Sequence, residues 1–182
     1  DYIETSFPAI RHEKYNITAF GRDYDNPWLV KGLVAMSMRM SNESELRAMA
    51  NEVLAKGRIG SADVGAAICV LSHLYLSQEM TNSSSNDNIK EIIGQIETFS
   101  KAADDTPTAL RWKISNRYVA GHLLLKIGDL KGAKESFLDC ASIDFNLFSP
   151  LIATKTVSAL FYAGLLSSGA GAIDEAKCYW VD

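Results

Sequence analysis

The sequence predicts an all-α fold of stacked antiparallel helical hairpins, and three observations carry that expectation. Three of the four prolines directly follow a good helix-capping residue, in Asn26-Pro27, Thr106-Pro107 and Ser149-Pro150. Proline at the first helical position forfeits no hydrogen bond, and its fixed φ suits the helix. Each pair, and a fourth start at Ser61-Ala62-Asp63, opens a stretch with apolar residues at helical spacing. No segment shows sustained strand alternation. The composition agrees: 182 residues, 47% hydrophobic and 22% charged, suit one globular domain with a sizeable core.

The four starts, at positions 26, 61, 106 and 149, divide the chain into units of 35, 45 and 43 residues and a remainder. Each unit reads as two helices. In the first, Pro27–Met40 is followed by a cap at Asn42, with Glu45 completing a loose capping box. Leu46, Met49, Ala50, Val53 and Leu54 then make one apolar face, ended by Gly57 and Gly60. In the second, Val64, Ala67, Ile68, Leu71, Leu74 and Tyr75 form a stripe, and Asp63 meets the positive end of the helix dipole. The polar run Thr81–Asp87 is expected as a mobile loop, with a new helix capped at Asn88 and carrying Ile89, Ile92, Ile93, Ile96 and Phe99. The third unit runs Pro107–Ile127, breaks at Gly128-Asp129 and continues over Leu130–Ala141. The fourth runs Pro150–Ser168, breaks at Gly169-Ala170-Gly171 and continues to Trp180. Its first helix is apolar around its circumference, as expected of a central helix or of one that meets another domain or protomer.

Residues 1–26 differ from the rest. Tyr2, Phe7, Tyr15, Phe20 and Tyr24 follow no helical or strand period, and so many aromatics do not suit a freely solvated linker. This part is expected to be an extended arm along the helices, or a linker from an upstream domain. Residues 27–182 are expected to form the repeat domain, as a piece of a longer chain.

Chemistry is sparse. Eighteen basic against 22 acidic residues give a net charge of −4, which argues against general nucleic-acid binding. No apolar run is long enough for a membrane span. His12 lacks the second histidine of a zinc-binding helix motif, and no phosphate-binding loop occurs, so no metal and no cofactor are expected. Cys69, Cys140 and Cys178 lie far apart and read as core residues. Asp104-Asp105 and Asp174-Glu175 read as acids at helix starts rather than catalytic pairs, and the scattered basic residues as a solvated surface. With no recognisable peptide or transit signal, a cytoplasmic setting is expected.

The last two units carry a resemblance. Gly121 is followed by Ala133 and Phe137 across a Gly128-Asp129 turn; Gly164 is followed by Ala176 and Trp180 across Gly171. Small residues let two helices approach, and the aromatic fills the space under the next hairpin. This arrangement resembles the tetratricopeptide repeat, whose period is about 34 residues. The matched glycines are 43 apart, and the extra residues are expected within Phe145–Thr154. The resemblance covers the C-terminal third to half of the chain and implies a tetratricopeptide-like α-α superhelix. It also implies a concave face lined by the first helix of each hairpin, with Tyr118, His122, Leu125 and Lys126 as the candidate partner-binding positions. The function expected is a non-catalytic module for protein–protein interaction or assembly, its partner a protein or peptide, another domain of the same chain or a second protomer. Aromatics at Tyr118 and His122, where the family's carboxylate clamp carries Lys and Asn, favour an apolar and aromatic peptide groove. The alternative, from domain-architecture analogy, is an accessory or oligomerisation region of a multidomain bacterial enzyme, such as a glycosyltransferase or methyltransferase of surface-polysaccharide biosynthesis.

Overall fold

The computed structural model describes residues 24–38, 42–78, 83–143 and 150–181. These form α-helices and no strand: α1 (Pro27–Met38), α2 (Glu43–Lys56), α3 (Ala62–Ser77), α4 (Ser83–Ala102), α5 (Pro107–Lys126), α6 (Leu130–Ala141), α7 (Pro150–Gly169) and α8 (Ile173–Val181). Local chemistry sets the boundaries largely as the sequence predicts. The Ser61 hydroxyl accepts the Val64 amide at 3.4 Å, the Thr106 hydroxyl the Ala109 amide at 3.2 Å, and the Asn42 side chain the Ser44 amide at 3.1 Å. Each satisfies a donor that the helix cannot pair itself. Ser149 and most of the aromatic arm lie outside the described residues.

The polar run before α4 departs from expectation. The helix begins at Ser83, with no loop through Asp87 and no cap at Asn88. Serine and asparagine cost only about 0.5 kcal/mol each in a helix, and once Ile89, Ile92, Ile96 and Phe99 are packed, extending a formed helix N-terminally is inexpensive. The absence of apolar residues there reports on burial, not on backbone conformation.

Consecutive helices pair as hairpins, α1 with α2, α3 with α4, α5 with α6, and α7 with α8. Each second helix then packs on the first helix of the next hairpin, and the first helices touch in series, α1 to α3 to α5 to α7. Two apolar clusters result. One joins α1–α5 through Leu33, Ala50, Ile68, Ile96, Phe99 and Leu123; the other joins α5–α7 through Ile114, Phe137, Cys140, Ile152 and Ala159. Helix α5 contributes to both, which is why it lacks a clear amphipathic stripe.

The last two hairpins turn identically. Gly128 and Gly171 have φ of 82° and 83°, the left-handed region that side chains disfavour. Asp129 N–H donates to the Leu124 carbonyl and Gly128 N–H to that of Leu125; Ala172 and Gly171 repeat this with Ser167 and Ser168. Both turns are Schellman motifs. The paired small and large residues also meet as the spacing predicts. A Cβ on Gly121 would lie 2.4 Å from the Phe137 ring, and one on Gly164 would lie 2.1 Å from the Trp180 ring.

Acidic residues read as helix-start acids prove to join elements. Asp63 is fully buried in the first turn of α3, and its carboxylate accepts the backbone amides of Asp25 and Asn26, each at 2.8 Å, fixing where α1 begins. Asp104 accepts both terminal nitrogens of Arg58, Nη1 at 2.7 Å and Nη2 at 2.5 Å, and this pairing holds its carboxyl below the usual carboxylate range. Glu175 ties α8 to α6 through Lys134 at 2.6 Å.

Candidate functional site

The serial contact of first helices leaves a groove of about 830 Å³, within the roughly 300–1,000 Å³ usual for ligand clefts. Val34 of α1, Leu46 of α2, Val70 and Leu74 of α3 and Trp112 of α5 give it apolar walls. Among these stand three basic side chains, His73, Arg111 and Lys155. Lys155 is the single charged residue of α7 and donates to the Ser115 hydroxyl at 2.7 Å. Among the described residues no carboxylate pairs with it. The acid in the groove lining, Glu43, is engaged by Arg47 at 2.9 Å and by Gln78 at 2.5 Å. Lys155 is thus a cation with no acid partner among the described residues, in a chain of net charge −4.

Of the positions the sequence singles out, the structure brings two together. Arg111, Ser115, Tyr118 and His122 recur at i, i+4, i+7 and i+11 on α5 and so share one face. His122 meets the edge of Tyr118 at 4.8 Å and of Tyr162 at 4.7 Å between ring centres, and Tyr162 stacks on Phe137 at 5.2 Å. This aromatic cluster continues the face of α5 that carries Arg111 and Ser115. Leu125 instead packs into the second core cluster. Lys126 donates to the carbonyls of Tyr75 and Leu76, at 2.9 and 2.8 Å, and to that of Gln78. It closes the C-terminal end of α3, where a cation meets the negative end of the helix dipole.

His73, Arg111, Ser115 and Lys155 are the groove residues that sequence reasoning missed. One signal for Lys155 was present: a lone cation in an otherwise uncharged, largely apolar helix must reach water or an acid somewhere. His73 reaches solvent yet stands between the groove walls. That partial desolvation, with Lys155 and His122 nearby, lowers its pKa below the ordinary histidine value. Desolvation lowers His122 likewise. Cys69, one turn from His73, is buried and its thiol is pushed up; burial takes Cys140 to about 12. Cysteine and histidine are both driven toward their neutral forms, the opposite of an activated thiolate–imidazolium pair. Among the described residues no group of histidine, cysteine and carboxylate ligands is placed to hold a metal, and no helix is long and apolar enough to cross a membrane.

The lowered histidines make stability depend on pH. Unfolded, both bind protons at the ordinary value of 6.5; folded, they resist until lower pH. Stability is thus complete above that value and declines as pH falls from it toward the lowered folded values. The urea midpoint is expected to be lower at about pH 5.5 than at about pH 7.5, and His122→Gln to shrink the difference.

Comparison with known proteins finds no matching family model, curated protein or solved structure.

Proposed function

We propose that this chain is a non-catalytic, tetratricopeptide-like helical-repeat module that binds an extended segment of a partner protein in the groove between its first helices. The serial packing of α1, α3, α5 and α7 and the repeated turns at Gly128 and Gly171 support a superhelical array with this groove on its concave side. The observation that carries the reading is Lys155, a cation held over an apolar cleft by the Ser115 hydroxyl, with no acid on it among the described residues. A segment placing apolar side chains against Val70, Leu74 and Trp112, and a carboxylate at Lys155, satisfies both parts of the lining.

A displayed random-peptide library panned on the chain tests this. Enriched peptides are expected to carry an acidic residue next to apolar ones, and Lys155→Glu to weaken their binding by more than about tenfold, the scale of one lost charged contact. Enrichment of peptides that bind the Lys155→Glu chain equally well contradicts the proposal.

A further inference from the structure

The part of α3 that lines the groove is one helical face. Cys69, Val70, His73, Leu74 and Ser77 follow at helical spacing, and His73 stands in the middle of the run. From the other elements α5 presents Arg111 and Ser115, and α7 presents Lys155, its ammonium held by the Ser115 hydroxyl at 2.7 Å. Helix α2 supplies Glu43, engaged by Arg47 and Gln78. Helix α1 supplies the uncharged Val34 and Ser37, and among the described residues α4 supplies none. The Arg111 guanidinium lies over the Trp112 ring, 5.1 Å from its centre. The groups that act on the imidazole of His73, Lys155 and then His122, are both basic, and both oppose its protonation.

Apolar walls strengthen the interaction between charges that share a cleft. In the open groove, a proton on His73 adds a second positive charge to a lining that already holds Lys155. A carboxylate seated on Lys155 reverses this, because it offsets the ammonium and itself attracts the imidazolium. We infer that His73 makes the groove's preference for an acidic segment proton-dependent: a segment binding at Lys155 brings a proton onto the imidazole and is held more tightly as the medium acidifies. The inference rests on the groove being the binding face, as proposed above. The coupling is reciprocal, so proton uptake on binding means that affinity rises as pH falls. His73 in the open groove titrates below the ordinary 6.5, and the seated carboxylate moves it up. The change therefore falls between about pH 8, where neither state holds the proton, and about pH 6. The Cys69 thiol, pushed up by burial, stays out of this range.

The probe is a rhodamine-labelled peptide enriched from the library, blocked at both ends, with one aspartate and no histidine or cysteine. Its aspartate stays ionised across the range, and a version with asparagine in its place serves as the neutral isostere. Fluorescence anisotropy with the full chain at about pH 6, 7 and 8 gives the affinities. The aspartate peptide is expected to bind about threefold tighter at the acid end, the change for a histidine moved by roughly one pKa unit, and the asparagine peptide to show no slope. His73→Gln should flatten the aspartate profile, and far-UV circular dichroism at each pH checks that the chain is folded. The imidazole resonance missing from His73→Gln should titrate at higher pH in the peptide-saturated chain than in the free one, a readout that needs only the natural chain for its shift. A flat profile overturns the inference. So does binding that weakens toward acid, as further desolvation of His73 by the peptide would produce, or a slope that survives His73→Gln. Where Lys155→Glu binds equally well, the groove reading itself fails; where it binds poorly and the natural profile is flat, only the proton linkage fails.

Discussion

Phe137→Ala is expected to cost about 3–5 kcal/mol of stability. The ring is fully buried, lies over Gly121, stacks on Tyr162 and meets the edge of His122 at 5.2 Å. Truncation opens a cavity at the junction of α5, α6 and α7, where close approach at Gly121 leaves little room to collapse. A double-mutant cycle isolates the pair. Gly121→Ala places a Cβ within 2.4 Å of the ring and should be strongly destabilising in the natural chain. In the Phe137→Ala background it should be much milder, giving a coupling of about 1–3 kcal/mol. Denaturant titration of the four proteins measures it, and additive effects contradict the packing described.

Asp63→Ala is expected to cost about 3 kcal/mol. Its carboxylate makes charged hydrogen bonds to two backbone amides 37 and 38 residues away in sequence. Removing it takes the acceptor from both amides and frees the start of α1, which helps to wall the groove. Asp63→Asn keeps one acceptor and should lose roughly half as much. Chemical denaturation gives the stabilities. Hydrogen exchange at the Asp25 and Asn26 amides should be slow in the natural chain and fast in Asp63→Ala.

The features legible in the sequence are those fixed by neighbours. Ser61 and Thr106 cap because the donors they satisfy lie three residues on, and Gly128 and Gly171 turn because side chains resist positive φ. The importance of Gly121 and Phe137 was signalled by the resemblance of their spacing to a tetratricopeptide repeat, and the structure adds that the ring lies against the glycine itself. What stayed hidden depends on distant chain. An acid in a first helical turn looks the same whether it serves its own dipole or, like Asp63, receives amides from another element. The same holds for the site: Tyr118 and His122 lie on the shared stripe of α5, whereas Lys126 is drawn away by the carbonyls ending α3. The groove lining arises because α3, α5 and α7 converge on His73, Arg111 and Lys155, which no window of sequence contains together.

Nuclear magnetic resonance shows whether the groove is the binding face. A nitrogen-15-labelled chain is titrated with a peptide enriched from the library. If the groove is the binding face, the largest amide shifts fall on Cys69–Ser77 of α3, Arg111–Tyr118 of α5 and Lys155 of α7. Shifts confined to the outer face of α7 and α8, with the groove amides unmoved, would contradict it.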